Sequence, residues 1–345
     1  MMRYLPQKAK SIATKTQAFT LVELIAALSI SIVLTALLLP AIQYARESSR
    51  AVTCQSHLRQ FGIAIASYES IYGVLPAGAW MEPDARFPQM LTPHTDFGTA
   101  CLILPELGEP VTFQKINWKD NVRTRQCGLF DTPSPAIFRC PSDSLVTSSS
   151  ISYRFCKGVR LTPTDQFERR DIGAFGTQPR LLSEVADGLS NTIFMSERLV
   201  GSGASLRNYS EFTETPASQA DGKRDWFPTA DQSTAMLNIS LNDFTHLCAN
   251  QASTAPTWRN NLGTPWYSVF ESLYDHVLPP NSPIPDCGLM GRFPPAGIYS
   301  ARSDHRFGVN VLLGDSGTHF VSNKVDLDIW RAYATIASQD DANLW

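Results

Sequence analysis

The chain has 345 residues, a formal net charge of −3 and 43% hydrophobic residues, which is ordinary for a globular protein. At this length it could hold one large or two modest domains, and its 23 prolines predict long ordered loops. Residues 1–18 carry four basic side chains and no acid, so removing them takes the formal charge from −3 to −7. An acidic remainder argues against nucleic-acid binding, which needs a basic surface.

A long apolar run follows this basic segment. From Leu21 to Ile42 nearly every residue is apolar or small, about the 20 residues that a helix needs to cross a bilayer. Glu23 lies inside the run, where an unpaired carboxylate costs on the order of 3 kcal/mol. An acid at such a position indicates a functional role, and its carboxylate requires a partner.

Other interpretations of the run fit less well. A secretory signal peptide has a shorter apolar core, about 7–15 residues, followed by a small-x-small cleavage site that is lacking here. A soluble core helix is disfavoured because the run is apolar on all sides. An ordinary signal anchor with a stray acid stays open. Pro40, within the run, predicts a kink.

The residues around the start of the run form a known pattern. Ala18-Phe19-Thr20-Leu21-Val22-Glu23 after a short basic leader resembles the prepilin-type processing and methylation site of type IV pilins and pseudopilins. The resemblance implies that a prepilin peptidase cuts between Ala18 and Phe19, methylates the new amino group and leaves Glu23 at the fifth mature position. That family usually has Gly where this chain has Ala18. The Glu23 carboxylate would pair with the Phe19 ammonium of a neighbouring subunit, which offsets the cost of burial only on assembly.

The helix is predicted to continue beyond the membrane segment as far as Tyr72. Apolar residues recur at spacings of three and four, which is typical of one stripe of an amphipathic helix. They are Ala51, Cys54, Leu58, Phe61, Ile65, Tyr68 and Tyr72. Gly73 and Pro76 then end the helix.

These boundaries divide the chain into three parts. Residues 1–18 are a cytoplasmic leader, 19–72 a pilin-like helix with 19–43 transmembrane, and 73–345 an extracytoplasmic domain. The fold class expected is α+β and pilin-like, with the long helix packed on an antiparallel sheet that carries long Pro-rich loops. The basic leader keeps the N-terminus cytoplasmic, which predicts a single-pass inner-membrane protein with its main domain periplasmic or extracellular.

The elements of the main domain are predicted mostly from alternation and turn residues. After a loop-rich stretch, 76–135, short strands are expected at 137–140, at 151–156 with one buried face, and at 191–195. Residues 201–260 are polar and irregular, which predicts surface insertions. A β-hairpin is expected over 309–321, and Asp326 is expected to cap a last helix. The inner face of that helix holds Ile329, Trp330, Tyr333 and Ile336.

Seven cysteines fit an oxidising exterior, where disulfides persist. Their spacing is wide and contains no C-x-x-C, so a zinc ribbon or redox motif is disfavoured. Three bridges and one free thiol is the simple interpretation, with Cys54, on a helix face, as the odd one. The candidate bridge is Cys248 with Cys287.

Taken together, the mature chain resembles a large bacterial family that joins a prepilin-type N-terminus to a C-terminal domain of unknown function. The resemblance rests on segments 54–68, 72–76, 140–143, 187–193, 277–283 and 328–332. It also rests on His305, nine residues and then Asp315. The family signature has Asp-Gly there, whereas this chain has Asp315-Ser316-Gly317. The resemblance implies an envelope-anchored, pseudopilin-like protein with no established reaction.

Candidate chemistry in the main domain is sparse. His305 with Asp315 would be a metal pair or, more commonly, a hydrogen-bonded brace across the hairpin. Gly314-Asp315-Ser316-Gly317 also resembles the nucleophile loop of chymotrypsin-like proteases, but no upstream His segment of that kind accompanies it. The other histidines lack zinc-ligand spacing, so no metal site and no cofactor is predicted, and a loop-bound calcium ion stays open.

The function expected is a non-enzymatic structural subunit of a type IV pilus or type II secretion-like assembly. Its expected partners are a prepilin peptidase, other pilin or pseudopilin subunits through the N-terminal helix, and the membrane, with no nucleic acid. The alternative is an anchored extracytoplasmic module that binds a glycan or a protein and does not polymerise. An enzyme ranks third.

Overall fold

The fold is described from a computed structural model, which covers most of the chain. Described residues are 20–77, 97–120, 122, 125–161, 172–176, 178–203, 214–230, 239–255, 257–289 and 296–337. Ala18 and Phe19, at the expected processing site, lie outside them. The chain divides into two compact units, 1–48 and 49–345. The second half of the long helix therefore belongs to the same unit as the sheets.

One helix, α1, runs from Leu21 to Tyr72 and confirms the predicted long N-terminal helix. In the first unit, all residues from Leu21 to Arg46 are exposed, and the helix is long and apolar enough to cross a membrane. In the second unit, most of the predicted stripe is buried. Its buried members are Cys54, Leu58, Phe61, Ile65 and Tyr68, whereas Ala51 is partly buried and Tyr72 exposed.

Short helices and two sheets make up the rest of the second unit. The helices are α2 (Thr99–Leu102), α3 (Pro110–Gln114), α4 (Leu241–Gln251) and α5 (Leu327–Ala332). The strands are β1 (Tyr153–Cys156), β2 (Ile193–Glu197), β3 (Glu214–Pro216), β4 (Trp226–Pro228), β5 (Thr257–Arg259), β6 (Leu273–Tyr274), β7 (Asp286–Leu289), β8 (Ala296–Gly297), β9 (Gly308–Leu313) and β10 (Thr318–Ser322).

The strands form two five-stranded sheets within the described residues, in the orders β10-β9-β2-β1-β6 and β3-β5-β4-β7-β8. This confirms the predicted α+β class. The structure has two sheets, however, instead of the one antiparallel sheet that was expected. β1 runs parallel to β6, and β4 runs parallel to β7. Parallel neighbours need a long crossover between them. Between β1 and β6 the chain builds β2, β3, β4, α4 and β5, and between β4 and β7 it builds α4, β5 and β6.

The outer half of α1 packs on the first sheet through an aromatic cluster. The Phe61 ring lies 5.2 Å from that of Phe138 and 5.8 Å from that of Tyr153. Gly62 lets the β9–β10 turn approach, because a Cβ there would lie 2.9 Å from both Leu312 Cδ1 and Ser316 Oγ. Gly62, which has no side chain, therefore allows α1 to lie close to the hairpin.

Two predicted strands differ from the structure. Residues 137–140 are not a strand, because Ala136–Phe138 forms a 3₁₀ turn. Pro135 and Pro141 flank this segment, and proline cannot donate to a sheet ladder. β1 is buried on both faces rather than one. Its polar member Arg154 is fully buried against Glu271, at 3.6 Å, so alternation of polar and apolar residues did not indicate a solvent-facing side.

The described part of residues 201–260 does not form irregular surface insertions, contrary to the prediction. The described part of this range contains β3, β4, α4 and β5, which contribute to the second sheet and its cover. Trp226, Phe227, Phe244 and Cys248 are all buried there. Strands of three residues carry too few alternations to be recognised from sequence.

Buried ion pairs connect the two sheets. Asp286, in β7 of the second sheet, accepts a hydrogen bond of 2.6 Å from Arg198, which follows β2 of the first sheet. Arg302 donates to the same carboxylate at 2.8 Å. Burial raises the pKa of Asp286, but Arg302 and Arg198 outweigh it and bring the pKa below its usual value. Removing one partner of such a network is costly because the other charges stay buried.

The final hairpin and helix were predicted correctly. β9 and β10 pair as an antiparallel hairpin, and Asp326 Oδ1 accepts from the backbone N–H groups of Asp328 and Ile329 at the start of α5. Trp330 on the inner face of α5 is buried and Ile329 only partly so, whereas Tyr333 and Ile336, predicted for the same face, are buried but follow the end of the helix at Ala332.

His276 is enclosed by the same helix. Its ring stacks on that of Trp330 with a centroid distance of 3.5 Å. Nδ1 lies 2.7 Å from the Trp330 carbonyl oxygen, and Nε2 lies 2.9 Å from the Tyr274 hydroxyl. Burial lowers the pKa of His276 to about 3, although the Trp330 carbonyl opposes the shift. The ring is therefore neutral in the folded protein at ordinary pH.

This burial predicts a stability that falls in acid. Between an unfolded pKa of about 6.5 and the folded value of about 3, the unfolded chain binds a proton that the folded chain does not. As the pH is lowered through this range, the free energy of unfolding therefore decreases by up to about 1.4 kcal/mol per pH unit. Urea denaturation of the full chain in detergent checks this. The cost of His276→Gln should shrink between about pH 7 and pH 5, whereas the effect of His246→Gln, at an exposed position, should stay constant. An unchanged cost for His276→Gln would contradict the assignment.

Candidate functional site

The first candidate site is the start of α1, where the structure gives Glu23 a local partner. The Thr20 backbone N–H and hydroxyl both donate to Glu23 Oε2 at 2.9 Å, and the Glu23 N–H donates to the Thr20 hydroxyl at 3.3 Å. Thr-x-x-Glu is a capping box, in which the two side chains satisfy N–H groups that a helix start leaves unpaired. Glu23 therefore has a structural role in a single chain. Sequence reasoning missed this role, although the spacing of the two residues was the signal for it.

The cysteines pair differently from the simple expectation. Cys248 and Cys287, the pair suggested from the sequence, form a disulfide. Cys54 is not the odd thiol, because it forms a second disulfide with Cys140. There are two bridges instead of three, and the buried residues Cys101, Cys127 and Cys156 are free cysteines. All seven positions fall within the described residues.

His305 and Asp315 do not meet as a brace or a metal pair. His305 precedes β9 and Asp315 lies in the turn that follows it, so the length of a six-residue strand, about 20 Å, separates them. Asp315 is exposed, and its Oδ1 accepts from the backbone N–H of Gly317 at 2.8 Å. Each residue of the signature thus has its own local role, at opposite ends of one strand.

His305 instead meets three residues from distant parts of the chain. Its Nε2 lies 3.1 Å from Glu197 Oε1 and 3.8 Å from Cys140 Sγ. Cys140 Sγ lies 3.7 Å from the same carboxylate oxygen, and Cys54 is bonded to Cys140. We call Cys54, Cys140, Glu197 and His305 the Cys-Glu-His cluster. All of them are buried, and their potential ligand atoms lie within 4.8 Å of one another.

A second layer of hydrogen bonds holds the Glu197 carboxylate in place. The backbone N–H of Asn310, in β9, donates to Oε2 at 2.8 Å, and its side-chain amide donates to Oε1 at 2.9 Å. The Asn310 amide oxygen accepts in turn from Gln55 Nε2, at 3.0 Å. Since Gln55 lies on α1, one carboxylate links β2, β9 and the helix.

A small pocket adjoins the cluster. Cys140 and Glu197 line it, together with Ser152, Asp143, Arg198, Leu199, Arg302, Ser303 and Asp304. Its charged members are engaged with one another or with neighbours. Arg224 pairs with Asp143 at 2.6 Å and also with Asp304, and Arg198 and Arg302 pair with Asp286. The pocket therefore reaches two members of the cluster from a surface of balanced charge.

The cluster was missed at the sequence level because its members lie 57 or more residues from their nearest neighbour in the cluster. They are Cys54, Cys140, Glu197 and His305. Zinc-ligand patterns are recognised by short spacings, and none exists here. The available signals were that Cys54, Cys140 and His305 each stand in a segment carrying the family resemblance, but nothing in the sequence placed these segments together.

The other resembling segments have structural roles that the contacts explain. Trp330 Nε1 donates to the Leu278 carbonyl at 3.0 Å and Arg331 to the Val277 carbonyl at 2.8 Å, so segment 328–332 docks on segment 277–283. Asp143 Oδ2 accepts from the backbone N–H of Val200 at 2.8 Å. Gly188, in segment 187–193, adopts a φ of +91° that favours glycine.

A family model covers most of the chain after the apolar segment of α1. Residues 43–328 match the model of a family described as a protein of unknown function, DUF1559 (SBP_bac_10). The chain belongs to this family. Comparisons with curated proteins and with solved structures gave no match. The match begins within α1, after its apolar segment, and includes every member of the Cys-Glu-His cluster.

The β9–β10 turn shows how this chain accommodates Ser316, at the position where the resemblance implies Gly. Ser316 has a φ of +68°, the left-handed region that favours glycine. Its N–H donates to the Leu313 carbonyl at 3.0 Å. A three-residue hairpin loop of this kind needs its last residue in that region. Ser316 occupies it directly, so the turn is kept and a strained residue results.

Replacing this residue should stabilise the protein. Ser316→Gly relieves the positive φ and is expected to raise the free energy of unfolding by about 0.5–1 kcal/mol. Ser67→Gly, at an exposed position inside α1, is the matched control and should lower it by about the same amount. Both are measured by urea denaturation of the full chain in detergent. Destabilisation by both variants would show that φ at residue 316 carries no strain.

Proposed function

We propose that the chain is a membrane-anchored, pilin-like structural subunit with an extracytoplasmic globular unit, and that it has no catalytic role. The observation that carries the proposal is the contrast along α1. The segment from Leu21 to Ile42 is apolar and exposed on all sides, with one carboxylate in its first turn. From residue 49 onward the same helix has one buried stripe. An exposed apolar helix of this length needs lipid or other such helices around it.

The sidedness of the anchor is part of the proposal. The leader carries Arg3, Lys8, Lys10 and Lys15 and no acid, and short basic segments stay on the cytoplasmic side. Residues after the helix's apolar segment would then be periplasmic or extracellular. Two disulfides in the globular unit support an oxidising compartment. We infer a single-pass inner-membrane protein with an exterior main domain.

The proposed partners follow from the motif at the start of the helix. A prepilin peptidase would cut between Ala18 and Phe19, and the new Phe19 ammonium of one subunit would meet the Glu23 carboxylate of its neighbour. In lipid an opposite charge nearby lowers the cost of the carboxylate. The proposed assemblies are a type IV pilus or a type II secretion-like filament, built through the N-terminal helices, without nucleic acid.

The first test reads the mature amino terminus. Protein isolated from the cell envelope should begin at N-methylated Phe19, detected by mass spectrometry of the N-terminal peptide. Ala18→Gly restores the residue that pilins usually have before the cut, and should be processed at least as completely. Recovery of protein that still begins at Met1 would overturn the proposal.

The second test separates the charge of Glu23 from its capping role. Glu23→Gln keeps an acceptor for the Thr20 N–H, and Glu or Gln serves equally at this position of a capping box, but it removes the charge. If the ion pair drives assembly, Glu23→Gln and Glu23→Ala should both stay membrane-bound and lose most of the pelletable filament. Thr20→Ala, which breaks the box and leaves the charge, should assemble. Wild-type filament levels in Glu23→Gln would contradict a role of the ion pair in assembly.

The rival function is an anchored binding module for a glycan or protein partner that does not polymerise. It is favoured by the size of the globular unit, because the described part of residues 201–260 contributes β3, β4 and β5 to a second sheet. Cysteine crosslinking discriminates the two. Ala27→Cys and Leu34→Cys place thiols on the exposed apolar segment, where ladders of crosslinked subunits indicate assembly and monomers indicate an anchor.

A further inference from the structure

The Cys-Glu-His cluster has the composition of a metal site. Two cysteine sulfurs, one imidazole nitrogen and one carboxylate oxygen lie within 4.8 Å of one another, all on buried residues. Zinc binds these three ligand types and prefers four of them in a tetrahedron. Calcium and magnesium prefer oxygen alone, so the ligand set favours zinc or a similar borderline-soft cation.

The distances between the potential ligands fit that geometry. Zinc–ligand bonds of about 2.0–2.3 Å in a tetrahedron place neighbouring ligand atoms about 3.4–3.8 Å apart. The observed separations are 3.8 Å from His305 Nε2 to Cys140 Sγ, 3.7 Å from Glu197 Oε1 to Cys140 Sγ, and 3.1 Å from His305 Nε2 to Glu197 Oε1. One face of the tetrahedron is therefore formed to within a few tenths of an ångström. Only Cys54 Sγ must move away from Cys140 to complete it.

The surroundings also suit a metal ligand set. Second-layer hydrogen bonds orient metal ligands and raise affinity by about 10–100-fold, and here Asn310 holds both oxygens of Glu197. The His305 backbone N–H donates to Ser303 Oγ at 3.0 Å, which fixes the loop that carries the ring. The adjoining pocket is lined by Cys140 and Glu197, so two members of the cluster border a small cavity.

We propose that the Cys-Glu-His cluster is a redox-gated zinc site, which binds the ion when Cys54 and Cys140 are thiols and releases it when they form their disulfide. The thiolate is the form of cysteine that ligates metals, so the oxidised pair has no sulfur ligand to offer. Zinc or the disulfide then performs the same task, which is to hold α1 at residue 54 to the Cys140 turn.

The two states interconvert by a balanced reaction. Reduction of the disulfide consumes two electrons and two protons, both supplied by a dithiol that becomes a disulfide itself. Binding of Zn²⁺ then releases the two thiol protons as both sulfurs become thiolates. A newly made chain has reduced cysteines, so it can take up zinc before any oxidant reaches the pair. This site is independent of filament assembly, and its test does not depend on the N-terminus.

Metal binding by the full chain in detergent tests the proposal. The protein is reduced with a phosphine, which leaves no competing thiol, and is then titrated with Zn²⁺ or Co²⁺ without oxygen. Reduced wild type should bind one ion per chain, and Co²⁺ should give the visible bands of a tetrahedral site with a sulfur-to-cobalt charge-transfer band. The oxidised protein should bind none. X-ray absorption of the zinc form should show two sulfur and two nitrogen or oxygen neighbours.

Variants assign the binding to the cluster. His305→Gln and Glu197→Gln should each weaken zinc affinity at least tenfold, and Cys140→Ser should weaken the charge-transfer band, because one of the two sulfur ligands is lost. His246→Gln, at an exposed histidine, should change nothing. The paired change Cys248→Ser with Cys287→Ser removes the other pair of sulfurs and should leave one ion bound.

Several outcomes would overturn the site. They are zinc binding that survives His305→Gln unchanged, binding that is lost with Cys248 and Cys287, and equal binding by oxidised and reduced protein. Circular dichroism measures whether the reduced protein is still folded. If reduction unfolds the wild-type protein and zinc does not restore the signal, the site does not exist.

Discussion

The carboxylate of Glu197 is the point on which the globular unit converges. It ends β2, accepts two hydrogen bonds from Asn310 in β9, and contacts His305 in the loop before that strand. Through Asn310 it is linked to Gln55 on α1. A buried acid without such donors would cost several kcal/mol. Its position therefore requires that the helix, the strand and the loop be in place together, which makes the cluster a condition of the fold.

The same principle operates between the two sheets. Asp286, Glu271 and Asp275 are fully buried, and each meets a basic side chain from another element, with Lys157 3.2 Å from Asp275. Buried pairs of this kind are weak evidence for added stability, but they penalise any arrangement that separates the partners. A domain with many short strands has few long-range patterns to fix its topology. Its buried charges can supply that selection.

The family resemblance gains a physical meaning from these contacts. Segments 277–283 and 328–332 both carry the resemblance, and one docks on the other through Trp330 and Arg331. His305 and the Asp315 turn bracket β9, one facing the cluster and the other closing the hairpin. Ser316 shows the reverse case, in which the backbone geometry is retained and the residue suited to it is not. Most of these motif residues therefore serve packing and turns, whereas Cys54, Cys140 and His305 belong to the Cys-Glu-His cluster.

Sequence alone determined the elements whose signal is local. The apolar run and its stripe predicted α1 to its last residue, the alternation around the Gly314–Gly317 turn predicted the hairpin, and Asp326 predicted the cap of α5, because each signal lies within a few turns of chain. Tertiary structure decided the rest. The second sheet, the pairing of Cys54 with Cys140 and the meeting of His305 with Glu197 depend on contacts between residues scores of positions apart. Such contacts leave no periodicity in the sequence, since only the fold brings those residues together.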